Sequence, residues 1–188
     1  MLDLLINALS FFLGVLGSFL VWWLSVHYWT PAIKFSHELA EYRLSDGSSF
    51  FQCAFENCGK RPIVDVEILV RIGVDKHLGA TGWAYHSVRS NASRVPLLAC
   101  GKRRRVRVFD TRDKIDFVDI PSKSIREQIE QCESLRDVLE LGEDAALRVH
   151  VFGYDSFSGV RKHFQSEPYR IHDIRIGTFT DLDVVRKT

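Results

Sequence analysis

Positive charge is absent from the first 30 residues, which contain no lysine or arginine and have Asp3 as their only acidic residue. All 25 basic residues, and every acid except Asp3, therefore lie in residues 31–188. The formal net charge of the whole chain, +1, does not reveal this uneven distribution of charge. The asymmetry predicts two units in different solvents, a membrane anchor in residues 1–30 and a globular domain in residues 31–188.

A continuous apolar run makes the anchor prediction more specific. The 23 residues from Leu4 to Val26 carry no formal charge, and as a helix they would be about 35 Å long, enough for a hydrocarbon core of roughly 30 Å. A cleaved signal peptide is the alternative, but it would need a basic start, a shorter apolar core and a small-residue cleavage site. The run closes instead with residues typical of a membrane–water interface: Trp22, Trp23, His27, Tyr28 and Trp29. We therefore expect an uncleaved, single-pass helix in a lipid bilayer.

The charges and cysteines that flank the anchor bear on its orientation. Lys34 and Arg43 follow the helix, so the positive-inside tendency places the globular domain on the cytoplasmic face of the plasma (inner) membrane. The four cysteines show no tight paired spacing, which suits a reducing compartment. The alternative is a disulfide-bonded domain outside the cytoplasm, the only case in which the glycosylation sequon at Asn91 would matter.

Small and polar residues of the anchor lie on one side of the predicted helix. At 100° per residue, one arc about 100° wide contains every Asn, Ser and Gly of the run: Asn7, Ser10, Gly14, Gly17, Ser18 and Ser25. In lipid, helices associate through close backbone approach at small residues and through side-chain hydrogen bonds. Chance alignment is the alternative, because small residues are common in membrane helices. We expect this stripe to be a helix–helix interface and the protein to be a homo-oligomer.

Past Pro31 the hydrophobic period changes from that of a helix to that of a strand. Apolar residues alternate with polar ones over residues 49–57 and again over residues 63–74, the pattern of strands with one buried face. Further strands are predicted at similar spacing over residues 35–44, 83–88, 94–98, 103–109, 146–154, 160–165 and 171–176. The fold class is therefore mainly β, and the sequence leaves open a β-sandwich or a small β-barrel.

A short helical insert interrupts the predicted strands. Ser124-x-x-Glu127 and Ser134-x-x-Asp137 are both capping-box patterns, which predict helices over residues 125–131 and up to residue 141.

A run of basic residues from Lys102 to Arg107 is the most specific feature of the globular part. On a strand, Arg103, Arg105 and Arg107 would project to one face about 7 Å apart. Three guanidinium groups in a row predict a site for the phosphates of a nucleotide or for another anionic ligand. The alternative is a solvated strand face, whose charges discourage sheet-to-sheet aggregation.

Motifs for catalysis or metal binding are lacking. The sequence has no glycine-rich phosphate loop, no nucleophile elbow, no metalloprotease helix and no zinc spacing among its seven histidines. Carboxylates recur every third residue at Asp110, Asp113, Asp116 and Asp119, but without a calcium-loop pattern, and an exposed connection explains them equally well. We therefore expect no catalytic residues, no cofactor and no metal site.

The overall plan, an N-terminal membrane segment followed by a compact β domain, resembles small bacterial membrane effectors of nucleotide-signalled antiphage systems. The resemblance implies a membrane part that oligomerises and perturbs the bilayer, and a cytoplasmic β domain that senses a nucleotide. Members often have two membrane spans, whereas one is predicted here. The leading interpretation is thus a self-associating membrane protein whose β domain senses a ligand or protein partner. The alternative is a non-catalytic structural or accessory subunit of a larger membrane complex.

Overall fold

A computed structural model of the chain describes residues 2–75, 83–110, 123–141 and 144–185. It begins with one long helix, α1 (Leu2–His27), whose side chains from Ile6 to Trp23 are exposed. The segment Ile6–His27 is long and apolar enough to cross a membrane, a property that anchors share with signal sequences. The remainder is mainly β, as the alternating pattern predicts.

Strands and short helices follow α1 and build two large sheets and a separate two-stranded hairpin. The described strands are β1 (Ile33–Phe35), β2 (Leu39–Arg43), β3 (Ser49–Asn57), β4 (Ile63–Asp75), β5 (Trp83–Leu98), β6 (Arg103–Asp110), β7 (Asp144–Asp155), β8 (Arg161–Gln165), β9 (Ile174–Ile176), β10 (Thr178–Thr180) and β11 (Asp183–Val185). The helices are α2 (Lys123–Gln131), α3 (Leu135–Leu139) and a 3-10 turn, Ile171–Asp173.

The two sheets pack over one hydrophobic core. In sheet 1, β6 pairs with one side of β3, β1 and β2 pair with its other side, and β9 runs parallel to β2. Sheet 2 is antiparallel in the order β5-β4-β7-β8. Phe51 and Phe55 from sheet 1 belong to the same buried cluster as Ile68, Ile72 and Leu147 from sheet 2. The arrangement is a β-sandwich, one of the two architectures that the sequence left open.

The helix is joined to the sandwich by a segment that is hydrogen-bonded to the domain. The Gly59 amide donates to the Ala32 carbonyl at 3.2 Å, and the Lys60 amide donates to the Thr30 carbonyl at 3.1 Å. The Lys60 ammonium lies 3.8 Å from the centre of the Tyr28 ring. A Cβ at Gly59 would come within 2.2 Å of the Ala32 nitrogen, so only glycine permits this approach. The junction therefore holds the end of α1 against the turn between β3 and β4.

Several predicted elements differ in extent from those observed. The two strands predicted over residues 83–98 form the single long strand β5, and the strand predicted over residues 171–176 begins as a 3-10 turn. The capping box at Ser134 is present, whereas Ser124 lies inside α2, which starts at Lys123. The hairpin of β10 and β11 was not predicted, because its strands have only three residues each.

A bulge in β4 changes which residues face the core. The alternation predicts that Val64, Val66, Ile68, Val70 and Ile72 share the buried face. This is confirmed from Val66 onward, whereas Ile63 is fully buried and Val64 is half-buried. Asp65 has a φ of 49°, and the pairing of β4 with β7 shifts by one residue at this point. One extra residue in a strand reverses the side-chain alternation beyond it. Ile63 and Val64, before the bulge, are therefore out of phase with the rest of β4, while Arg71 lies on the outer face as predicted.

Candidate functional site

The predicted arginine row lies on the outer face of sheet 1 and is held by groups of the protein itself. Arg103, Arg105 and Arg107 pair in register with alternate residues of β3. The Arg103 guanidinium donates to Glu56 and Asp181, and the hydrogen bond to Glu56 raises the pKa of Arg103.

The other two guanidinium groups of this row also have internal partners. Arg105 Nη2 donates to the Phe179 carbonyl at 2.9 Å, and Arg107 Nη1 donates to Asp110 Oδ2 at 2.6 Å. The Arg107 guanidinium also stacks 4.5 Å from the centre of the Phe50 ring. A ligand at this face would have to replace contacts that already exist.

The C-terminal hairpin of β10 and β11 covers part of this outer face. Phe179 is buried against Ala40 and Ala54, with Leu182 and Val184 packed around them. Small residues at the two alanine positions leave room for the Phe179 ring. Arg103 and Arg105, which contact the hairpin, therefore fasten it to sheet 1. Anion binding by the three arginines stays a prediction.

A second group of arginines lies in an open cleft on the outer face of sheet 2. The cleft has a volume of about 240 Å³ and is lined by Arg71, Trp83, Tyr85, Ala146, Arg148, His150, Gln165, Pro168 and Arg170. These residues come from β4, β5, β7, β8 and the segment after β8. We refer to it as the sheet 2 cleft.

Aromatic rings form one wall of the sheet 2 cleft, and they lie against a glycine beside Ala146. Gly73 pairs with Tyr85 on one side and with Ala146 on the other. A Cβ at Gly73 would come within 2.8 Å of the Tyr85 ring and 3.0 Å of the Trp83 ring, so both rings lie against this glycine. The rings are stacked, with centroids 5.9 Å apart and an interplanar angle of 16°. Both remain exposed, which leaves an aromatic surface open to solvent.

Positive charge is concentrated beside that aromatic wall. Arg71 and Arg148 are direct cross-strand partners, an arrangement that destabilises a sheet when the two charges have the same sign. Arg71 Nε donates to the neutral Ser87 hydroxyl at 3.4 Å. Within the described part of the chain, the Arg148 side chain makes no hydrogen bond or ion pair. Two arginines thus lie opposite each other on neighbouring strands, and neither forms an ion pair with a carboxylate of the described residues.

The remaining charges of the sheet 2 cleft lie near its rim. Arg170 Nη2 donates to Asp144 Oδ2 at 3.0 Å, and both side chains are partly exposed. Asp75 is the cross-strand partner of Asp144 and of Trp83. The acids therefore lie at one end of the cleft, and Arg71 and Arg148 lie toward the other. An anion bound between those two arginines would relieve their repulsion.

A pair of histidines adjoins the two arginines. His150 Nδ1 lies 2.9 Å from His163 Nε2, and His150 Nε2 is buried without a hydrogen-bond partner in the described residues. Burial, and the charges of His163, Arg71 and Arg148, lower the pKa of His150 to about 4. His150 is therefore neutral at physiological pH. His150 also lines the cleft, and its Nε2 is a polar atom without a hydrogen-bond partner there in the part of the chain that the structure describes.

Sequence reasoning missed this site because its members are far apart in the chain. The sequence shows no metal spacing among the histidines, so His150 and His163 were not paired. In the structure they are diagonal neighbours on β7 and β8, because His150 pairs with Gln165 and His163 pairs with Phe152. Arg71, Arg148 and Arg170 share no local spacing. The sequence placed Arg71 on the polar outer face of β4, but it gave no indication that Arg148 or Arg170 would lie near it.

The small-residue stripe of the anchor is uncovered in the structure of the single chain. A Cβ added at Gly14 or Gly17 would meet no atom within 4 Å. The described stripe residues Asn7, Ser10, Gly14, Gly17 and Ser18 are exposed, and Ser25 is partly exposed. Self-association through this stripe stays a prediction.

The other candidate groups do not assemble into a site among the described residues. No three His, Cys, Asp or Glu side chains within residues 2–75, 83–110, 123–141 and 144–185 come close enough to hold a metal ion. Asp113, Asp116 and Asp119 lie outside the described residues. All four cysteines are free thiols, and burial raises the pKa of the Cys53 thiol to about 11. Cys53 packs against the Tyr169 hydroxyl at 3.3 Å and is a core residue.

No protein-family model matches the chain, and no curated protein matches it by sequence.

Proposed function

We propose that this protein is a membrane-anchored sensor whose β domain binds a small anionic ligand with a planar ring, of the nucleotide class, in the sheet 2 cleft. The anchor lies in the plasma (inner) membrane, the domain faces the cytoplasm, and ligand binding controls self-association of the anchors. One observation carries the proposal: two opposed arginines, Arg71 and Arg148, lie beside the exposed ring pair of Trp83 and Tyr85.

The chemistry of the cleft matches the two halves of a nucleotide. Guanidinium groups donate paired hydrogen bonds to phosphate oxygens, and these charge-assisted contacts are about twice as strong as neutral ones. Exposed aromatic rings stack on nucleobases of any sequence. The Trp83 and Tyr85 rings would hold the base, while Arg71 and Arg148 would hold the phosphates. No catalytic step or cofactor is needed.

The size of the cleft limits the ligand. Small-molecule sites in proteins usually occupy about 300–1,000 Å³. The sheet 2 cleft, at about 240 Å³, is slightly smaller than that range. A mononucleotide, or one nucleotide unit of a larger ligand, suits this volume.

The position of the cleft supports a sensing role. Arg71 lies eight residues along β4 from Ile63, which places it roughly 25 Å from the turn that holds the anchor. The anchor is bonded to that turn through Thr30 and Ala32 without a long flexible linker. A change in sheet 2 can therefore reach α1 through β4. The uncovered stripe of α1 supplies a surface on which such a change would act.

Binding to the full-length protein in lipid nanodiscs tests the proposal. The probes are mononucleotides and cyclic dinucleotides, with inorganic pyrophosphate as an anion that lacks a ring. Arg71→Gln combined with Arg148→Gln should weaken binding by 100-fold or more, since each charge-assisted contact contributes about 1.5–3 kcal/mol. The matched control combines Arg103→Gln with Arg105→Gln and should leave the affinity unchanged.

Two results would overturn the proposal. If the parent protein binds none of the nucleotides, the cleft is not a nucleotide site. If the control on sheet 1 weakens binding as much as the cleft variant does, the arginine row of sheet 1 is the binding site instead.

A further inference from the structure

Three turns of the β domain lie together at the end of the sandwich where the anchor leaves it. They are residues 58–62, 99–102 and 156–160. The Asn57 amide donates to the Lys102 carbonyl at 3.1 Å, and the Ser156 amide donates to the Pro62 carbonyl at 3.3 Å. Since the first turn is also bonded to Thr30, next to the end of α1, we call this surface the anchor-proximal end.

The anchor-proximal end is positively charged. Its three turns contain no Asp or Glu, whereas they contain Lys60, Arg61 and Lys102. Arg61 is buried and pairs with Asp155 at 3.4 Å, so its charge is neutralised locally. Lys102 and Arg104 are exposed, and neither has a side-chain hydrogen bond or ion pair within the described part of the chain.

Most acidic residues near the anchor-proximal end form ion pairs with arginines. Glu56 and Asp181 both pair with Arg103. Glu67 pairs with Arg161 at 3.1 Å. Asp65 is exposed on the bulge of β4, two residues beyond Ile63. The balance of charge on the turns themselves stays positive.

Exposed apolar side chains lie at the same end. Phe157 stands at the tip of the β7–β8 hairpin, is 68% exposed and stacks 4.0 Å from the Arg61 guanidinium. Val160 is exposed on the same turn, and Leu97 is exposed at the end of β5. An aromatic residue beside lysine and arginine is the composition that favours the headgroup region of a bilayer.

We infer that the anchor-proximal end docks on the bilayer surface, with Phe157 among the headgroups and with Lys102 and Arg104 on anionic lipid phosphates. Positive charge close to the cytoplasmic leaflet attracts anionic lipids, and the attraction weakens as salt is added. The helix junction already holds this end at the membrane. Docking would fix the orientation of the sandwich and leave the sheet 2 cleft, in the far half of the domain, open to solvent.

This inference rests on the anchor part of the proposed function and is independent of the ligand. It can be tested on the full-length protein in nanodiscs that contain phosphatidylglycerol and a lipid with a nitroxide on its headgroup. An environment-sensitive fluorophore is attached to Cys100, which is exposed on the second turn, after Cys58→Ser and Cys132→Ser. The matched control carries the fluorophore at Ser45→Cys, in the turn at the opposite end of the sandwich, with Cys58, Cys100 and Cys132 replaced by Ser.

Docking predicts several-fold stronger nitroxide quenching at Cys100 than at position 45. Lys102→Gln with Arg104→Gln, or Phe157→Ser alone, should lower the quenching at Cys100 toward that of the control. High salt, or discs of phosphatidylcholine alone, should do the same. Equal quenching at the two positions, or quenching that the charge variant leaves unchanged, would overturn docking.

Extraction with alkaline carbonate separates the failure of docking from the failure of the anchor. A protein that stays in the membrane but shows equal quenching has an anchor and no docked surface. A protein that the carbonate extracts has no membrane anchor, which overturns both docking and the anchor part of the proposed function.

Discussion

The outer faces of the two sheets both carry arginines, but they use them differently. On sheet 1, Arg103 and Arg105 are bonded to the C-terminal hairpin, and this hairpin buries Phe179 against the sheet. On sheet 2, Arg71 and Arg148 face each other in an open cleft beside exposed aromatic rings. The partners available to a guanidinium group therefore indicate its role better than the density of arginines in the sequence does.

The largest expected effect concerns stability on sheet 1. Phe179→Ala should lower the free energy of unfolding of the β domain by about 3 kcal/mol, because the ring is 3% exposed and its removal leaves a cavity under the hairpin. Chemical denaturation followed by circular dichroism measures the change. Nucleotide binding by the folded variant should equal that of the parent. Loss of binding with unchanged stability would reverse the roles assigned to the two faces.

A pH dependence is expected on sheet 2. The pKa of His150 is lowered to about 4 in the folded protein, whereas an unperturbed histidine has a pKa of about 6.5. Between these two pH values the unfolded chain binds a proton at this residue and the folded protein does not. The unfolding free energy should therefore decrease as the pH falls from about 6.5 to 4, by up to about 3 kcal/mol. Denaturation at several pH values measures this slope, and His150→Gln should reduce it. A slope that His150→Gln leaves unchanged would contradict the assignment to His150.

Variants of Trp83 and Tyr85 test whether the cleft binds the ring of a ligand separately from its phosphates. Trp83→Ala or Tyr85→Ala should weaken nucleotide binding by about 1–3 kcal/mol, the usual contribution of one stacked base. Binding of inorganic pyrophosphate should not change, because it has no ring. Both affinities can be measured by calorimetry. If pyrophosphate and nucleotide binding fall together, the aromatic pair shapes the cleft without stacking on a base.

The smallest effect is expected in the anchor, where the comparison is between two faces of one helix. Gly14→Leu or Gly17→Leu should block close approach of a second helix and weaken association by about 1–2 kcal/mol. Leu9→Ala or Leu16→Ala, on the opposite face, should matter less. Single-molecule subunit counting in nanodiscs measures the copy number. Equal effects from both faces would contradict the stripe as an interface.

Local patterns in the sequence predicted most of the fold. The uncharged run from Leu4 to Val26 predicted a long apolar helix, because length and hydropathy are properties of consecutive residues. The alternation in β3 and β4 predicted strands with one buried face, and the Ser134 capping box predicted the start of α3. The short C-terminal hairpin escaped prediction because its position depends on packing against Ala40 and Ala54.

The sequence by itself determined the apolar N-terminal helix, the mainly β class and the run of arginines on β6. Only the tertiary structure decided where charge is available to a ligand. Arg71 and Arg148, far apart in the chain, become cross-strand partners because β4 and β7 pair in one register. In a strand with a side-chain period of two, shifting that register by one residue would turn Arg71 toward the core. The arginine row of sheet 1 is adjacent in the chain, but the fold places Glu56, Asp181 and the Phe179 carbonyl against it.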